Sequence, residues 1–152
     1  MQISFELANT ADAATLVAFE RRVADPKLYG PPLDLRRALQ EITNNSFYFI
    51  KKDDMMLGTV AYRWRPTQAD YVSNLAVDPL YRRKGIARAA MLFIVEKCSD
   101  NTRIELAVHP ENHIALRLYA SFGFKIQSRH ESYFEDGEPR LLLVSIIHKC
   151  AS

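Results

Sequence analysis

Residues 70–91 read DYVSNLAVDPLYRRKGIARAAM. The first eight, Asp70–Val77, form an apolar and β-branched run of strand length, stopped at Asp78 and Pro79. Residues 85–98 then carry Ala87, Met91, Ile94, Val95 and Cys98 at helical spacing, which predicts a helix with that stripe against a core. Between strand and helix lies a short basic loop, with Arg82, Arg83, Lys84 and Arg88 around Gly85 and no acid between Asp78 and Glu96. The first turn of a helix has N–H groups without intrahelical partners, and its dipole adds partial positive charge there. Phosphates bind at such ends. Gly85 and the small Ala87 let a ligand approach the backbone. Neither GxGxxG nor GxxxxGK[ST] occurs, so the loop is not a dinucleotide fingerprint or a P-loop.

Outward from this stretch, residues 103–109 read as a strand, giving a βαβ unit with parallel strands and a right-handed crossover. Upstream, residues 2–7 alternate Ile3, Phe5 and Leu7, and Asn9 or Thr10 can cap a helix from Ala11 with Leu16, Phe19 and Val23 on its apolar side. Residues 25–32 hold three prolines and a glycine and form a loop. Asp34 caps a second helix bearing Leu35, Ala38, Leu39 and Ile42, and Asn44–Asn45 break it. Residues 46–51 and 55–65 are strands around Asp53–Asp54. Downstream, residues 112–122 are a helix closed by Gly123, and strands 124–133 and 140–149 meet across Asp136–Gly137. The order βααβββαβαββ predicts an α/β fold: a mixed, mostly antiparallel sheet of six or seven strands with about four helices, in one domain spanning 1–152.

Arg82-x-x-Gly85-x-Ala87 resembles the (Arg/Gln)-x-x-Gly-x-(Gly/Ala) motif of the GCN5-related N-acetyltransferase (GNAT) family, in that family's context of a preceding strand and a following amphipathic helix. The resemblance implies that the backbone of Arg83, Lys84, Gly85, Ile86, Ala87 and Arg88, with Arg82, cradles the pyrophosphate of acetyl-CoA. It implies that Leu75, Ala76 and Val77 pair with the pantetheine arm. A second string, VHPENHIALRLYASFGF, is similar to the family's later motif: Asn112 opens a helix and Tyr119 follows seven residues on, about two turns, on roughly the same face. By that likeness Asn112 bonds the pantetheine region, and Tyr119 protonates the leaving thiolate. A phenol of pKa ~10 keeps its proton at neutral pH, which suits a donor. Asn112 also reads as a helix N-cap, and Tyr119 as a core aromatic.

The implied activity is acetyl transfer from acetyl-CoA to a primary amine by direct attack in a ternary complex. A backbone N–H near residues 75–77 would face the oxyanion. The alternative is a CoA-sensing or interaction domain without transfer chemistry. Ribosomal-protein acetyltransferases of the family often carry a glutamate where this chain has Ala107, a departure that bears on the acceptor class. Glu105, Asp70, His109 or a water chain are the candidate bases. Loop 25–33, helix 34–43 and hairpin 133–139 supply acids for a cationic acceptor, namely Asp25, Asp34, Glu41, Glu135, Asp136 and Glu138, with Tyr29 and Tyr133 as walls.

The 152 residues are 48% hydrophobic and 25% charged, with a formal net charge of +2, the balance of a soluble globular chain and too small an excess to imply nucleic-acid binding. Cys98 and Cys150 make neither a disulfide framework nor a zinc site, and Pro110 separates His109 from His113, so no metal is expected. No signal peptide or membrane span is read, which points to the cytoplasm. Strand 140–149 is read as an exposed edge on which a second copy could pair, making a homodimer possible.

Overall fold

The computed structural model describes residues 2–23, 25, 28, 33–65, 69–98, 102–134 and 136–147. These contain strands β1 (Ser4–Leu7), β2 (Ser46–Lys52), β3 (Met55–Arg63), β4 (Asp70–Val77), β5 (Thr102–Val108), β6 (Lys125–His130) and β7 (Arg140–Ile147). The helices are α1 (Ala13–Val23), α2 (Leu35–Asn44), α3 (Ile86–Lys97) and α4 (His113–Ser121). The strands form a seven-stranded sheet, mixed and mostly antiparallel, in the order β1-β2-β3-β4-β5-β7-β6. The fold class and element order are those the sequence predicts. The chain divides into two compact units, one made of Met1–Ala24, Pro32–Arg63 and Val72–Ile94, the other of Asp25–Pro31, Trp64–Tyr71 and Val95–Ser152.

In the first unit β1, β2 and β3 are consecutive antiparallel partners, with a bulge between Ile50 and Lys51. Side chains along β2 alternate faces, and each face meets different helices. Phe47 and Phe49 pack with Leu16 of α1 and Ala38 and Ile42 of α2. Tyr48 points the other way, edge-on to Phe93 of α3, which also stacks on Phe5 of β1 at 4.1 Å. Leu16, Ile50, Leu57 and Ile94 are fully buried, and each such side chain contributes about 1.5–3 kcal/mol relative to exposure. Local signals set the helix starts. Asn9 accepts from the Ala11 N–H at 2.9 Å and Asp12 returns a bond to the Asn9 N–H at 2.9 Å, a capping box ahead of α1. Asp34 caps α2 through the Arg37 N–H at 2.8 Å.

The α3 stripe differs in part from expectation. Ile86, Ala90, Met91, Ile94 and Cys98 are buried, whereas Ala87 and Val95 are half-buried. On α2, Ala38 and Ile42 are buried but Leu35 is 55% exposed. On α3 the neighbouring apolar Ile86 and Ala90 take up the difference, whereas on α2 Leu39 is exposed as well and the half-buried flanks are Arg37 and Glu41.

In the second unit β7 pairs antiparallel with β5 on one side, Leu143 opposite Leu106, and with β6 on the other, Leu143 opposite Ile126. The terminal strand is therefore interior, and the reading of residues 140–149 as an exposed edge is wrong. The edge is β6, whose KIQSRH is almost wholly exposed. The composition carried the signal, since RLLLVSII is the continuous apolar run of a strand flanked on both sides. Arg140, 1% exposed, organises the hairpin: it donates to Asp136 at 3.1 Å and to the Pro139 carbonyl at 2.9 Å, and its guanidinium lies 5.0 Å from the centre of the Phe134 ring.

Candidate active site

The basic loop begins where β4 ends. Asp78, 2% exposed, holds that junction: its carboxylate pairs with Arg22 of α1 and accepts the Leu80 N–H at 3.0 Å. Its own N–H donates to the Leu57 carbonyl at 2.8 Å, and its carbonyl accepts from Tyr81 at 2.8 Å. The Tyr81 hydroxyl in turn lies 2.8 Å from the Met55 sulfur. These bonds bring the chain into the loop on a fixed path. Arg83 and Gly85 both have positive φ, 63° and 78°. For Gly85 that conformation is nearly free, and for Arg83 it stores about 1 kcal/mol of strain. The Gly85 carbonyl accepts the Ala89 N–H at 3.0 Å and starts α3, leaving the N–H groups of its first turn without intrahelical acceptors. Ile86 is buried beneath the turn, while Arg82, Arg83, Lys84 and Arg88 are exposed around it. A Cβ placed on Gly85 would meet nothing within 4 Å. An open helix start with four cationic side chains fits a di- or triphosphate.

Behind the loop, Leu75 and Val77 are half-buried and Ala76 is buried against Phe19 and Val23 of α1. Gly58 of β3 lies under this segment; a Cβ there would sit 2.4 Å from the Ala76 carbonyl oxygen, so only glycine allows so close an approach. On the same face of β4 as Ala76, Asn74 accepts the hydroxyl of the fully buried Thr59 at 2.6 Å. Glu20 of α1 lies near Asn74 and Glu41. Burial pushes the Glu20 carboxyl up, the Asn74 bond pulls it back, and Glu41 raises it further. Burial likewise raises Glu41, against the pull of Arg63 and Arg37. The Thr59–Asn74 bond escaped the sequence reading because its members are fifteen residues apart and each is unremarkable alone.

The second unit holds the remaining candidates. Asn112 caps α4, its side-chain oxygen accepting the Ala115 N–H at 3.3 Å. Tyr119, 7% exposed, lies edge-on to Phe124 with ring centres 5.9 Å apart. Glu105 is held by Arg65 at 3.2 Å and Arg103 at 3.3 Å. His109, 2% exposed, accepts the Glu111 N–H on Nδ1 at 3.1 Å, which puts the ring proton on Nε2, 3.3 Å from Glu138. Asp70 is buried at the start of β4. Several acids expected to face an acceptor instead cap the backbone: Asp25 accepts from Leu28, Asp34 from Arg37, and Asp136 from Glu138. Tyr133, 37% exposed, packs edge-on to His130 and Phe134. Tyr29 and Glu135 lie outside the described residues.

Among the described residues no cluster of three His, Cys, Asp or Glu side chains is placed to hold a metal, and no helix is long and apolar enough to cross a membrane. The chain is 29% identical over 100 residues to a putative [ribosomal protein bS18]-alanine N-acetyltransferase of Bacillus subtilis, covering 64% of this chain and 66% of that one. It is 31% identical over 80 residues to the L-amino acid N-acetyltransferase AaaT of Escherichia coli, covering 49% of each. The match thus spans from half to just under two thirds of these curated relatives. Among solved structures, Ard1 from Thermoplasma volcanium superposes with a TM-score of 0.83 at 18% identity, covering 98% of this chain and all of that one, a likeness of fold. The family model described as Acetyltransferase (GNAT) family matches residues 16–124, and the chain belongs to that family of acyltransferases.

Proposed function

We propose that this chain transfers an acetyl group from acetyl-CoA to a primary amine by direct attack, with both substrates bound together. The observation that carries the reading is the start of α3: a left-handed Gly85 and four exposed cationic side chains at the first turn of the helix, directly after β4. Its backbone N–H groups and positive field suit a pyrophosphate, and a 3′-phosphate adds further charge for Arg82, Arg83, Lys84 or Arg88 to meet. Residues 75–77 then lend backbone hydrogen bonds to the pantetheine arm, and Asn112 supports it. Tyr119, 7% exposed, donates its proton to the departing thiolate. The acceptor is an α-amino group, free or at a peptide N-terminus; both relatives are named for acetylating such an amine, on an alanine of a ribosomal protein and on L-amino acids.

The test is acetyl-CoA-dependent thiol release over a panel of amino acids, polyamines, aminoglycosides and peptides with free N-termini or lysines. Calorimetry with CoA and with 3′-dephospho-CoA runs alongside it. Turnover with an α-amine and tighter binding of intact CoA are expected. CoA binding without turnover on any amine would make this a sensing domain, and binding indifferent to the phosphates would remove the assigned role of the loop.

A further inference from the structure

A cleft of about 380 Å³ opens in the second unit, lined by His109, Pro110, Glu111, Arg129, Glu138 and Pro139. Its size lies in the range of small-molecule sites, about 300–1,000 Å³. Three neighbouring strands build it. Leu141 of β7 stands opposite Val108 of β5 on one side and opposite Arg129 of β6 on the other. The turn after β5, the hairpin before β7 and Arg129 therefore meet at one end of the sheet, with β5 and β6 about 10 Å apart across β7. Hydrogen bonds fix the wall. His109, 2% exposed, accepts the Glu111 N–H on Nδ1 and aims Nε2–H at Glu138, 3.3 Å away. The Asn112 N–H donates to the His109 carbonyl at 2.9 Å and closes the turn. Asp136 accepts the Glu138 N–H at 3.0 Å, and the buried Arg140 donates to Asp136 and to the Pro139 carbonyl, so the backbone on both sides of Glu138 is held. The His109 bond takes one Glu138 oxygen, and this side chain is 34% exposed, which leaves the second oxygen to accept from a ligand.

With Nδ1 acting as acceptor the imidazole carries no charge, so the lining holds two carboxylates and one guanidinium. The signs are also separated: Glu111 follows β5 and Glu138 precedes β7, whereas Arg129 stands on β6. An ammonium group suits the two carboxylates, and a carboxylate suits the arginine, whose planar fork binds it by paired N–H bonds. Arg129 holds Glu131 at 2.5 Å, and Glu131 is 75% exposed, so a ligand carboxylate displaces it from a solvated pair at little cost. Pro110 and Pro139 add walls without N–H groups, suited to an apolar side chain. We propose that this cleft binds a free α-amino acid as its zwitterion, with the ammonium on Glu138 and Glu111 and the carboxylate on Arg129. A polyamine would set a cation against Arg129, and a peptide N-terminus would bring no α-carboxylate to it. The site lies wholly within the second unit and stands independently of the acetyl transfer proposed above. The bound amino acid is either the acceptor of that transfer or an effector that is not consumed, the same chemistry in both cases.

The whole chain is titrated with each L-amino acid in turn, and then with the amide and the N-acetyl derivative of whichever binds. Calorimetry gives Kd, and the nitrogen NMR signals of the His109 imidazole report the cleft. Saturable binding with a shifted Nε2 signal is expected. The amide and the N-acetyl derivative should bind at least about tenfold more weakly, since each lacks one charged hydrogen-bonding group. Glu138→Gln and Arg129→Gln should each raise Kd about tenfold or more while the circular dichroism spectrum stays that of wild type. Thiol release from acetyl-CoA separates the two sources. KM rising with Kd in both variants marks the amino acid as the acceptor, and Kd rising with KM unchanged marks an effector; either supports the site. Equal affinity for the amino acid and its amide would overturn the zwitterion assignment. No saturable binding, or binding that leaves the His109 signals still, would overturn the site even if other amines are acetylated. Amino-acid binding without thiol release on any amine would keep the site and remove the transfer.

Discussion

Replacing Gly58 by alanine puts a methyl group 2.4 Å from the Ala76 carbonyl oxygen and 3.3 Å from the Val77 Cα. Contacts below about 3 Å do not persist, so β3 and β4 must separate by several tenths of an ångström or more. Both sides of the clash are backbone, which leaves no side chain to swing away. Gly58 has no positive φ, so alanine meets no conformational penalty and stiffens the unfolded chain, a gain of about 0.4–1 kcal/mol. Overpacking in a tight interior costs about 1–3 kcal/mol. The net expectation is a loss of about 1–2 kcal/mol, or roughly 2–8 °C in Tm for a chain of this size. The same displacement moves Ala76 and Val77, the proposed pantetheine partners, so CoA affinity should drop as well. Urea unfolding at constant m and CoA calorimetry read the two effects. A Gly58→Ala chain as stable as wild type or more so would refute the close approach as a constraint. A destabilised chain with unaltered CoA affinity would instead detach residues 75–77 from the cofactor.

Arg140→Ala removes one partner of a buried ion pair and strands Asp136, with an expected loss of about 3 kcal/mol in urea unfolding; a loss under about 1 kcal/mol would show the pair to be dispensable. Tyr119→Phe should lower kcat at least tenfold with CoA affinity held, since only the proton is removed; an unchanged kcat takes Tyr119 out of the chemistry. Cys98, 1% exposed, has no part in direct attack, so Cys98→Ala should cost about 1 kcal/mol of stability and no turnover, and inactivity in a folded variant would point to a covalent route. Glu20 also predicts a pH signature. Its folded carboxyl is raised above 4.5, so its stabilising contribution is complete below that value and is lost as pH rises through the folded one. Glu20→Gln should therefore melt higher than wild type at about pH 8 and equal to it near about pH 4, and a pH-independent gap would contradict the burial argument.

Most of the fold was legible because local chemistry and tertiary role agree. The alternation in β2, the Asp34 cap, the Asp78–Pro79 stop and Gly123 with φ of 84° each act within a few residues of themselves. The place of β7 was missed for another reason. Hairpin signals say which strands are joined, and they are silent on which of the two faces the rest of the sheet; only the contrast of RLLLVSII with KIQSRH records that. The helix start at residues 85–88 was legible because a glycine between a strand stop and an apolar helical stripe marks it in sequence. The Thr59–Asn74 bond was illegible because it is assembled by the neighbouring strands β3 and β4, and the pairing of Thr with Asn leaves no spacing to recognise.

These observations place several constraints on one strand. Gly58 fixes how near β3 lies to residues 76–77, and Asn74 accepts the hydroxyl of the buried Thr59. Asp78 ends the strand with a buried carboxylate that holds α1 through Arg22 and the loop through Leu80. A buried carboxylate is costly unless paired, and here both its charge and its lone pairs are met by groups that belong to different elements. Loss of Asp78 would therefore release α1 and the loop at once. The proposed phosphate cradle and the strand assigned to pantetheine thus share a single anchor, so a variant such as Asp78→Ala should weaken CoA binding and turnover together, and turnover lost with CoA affinity intact would separate the loop from that anchor.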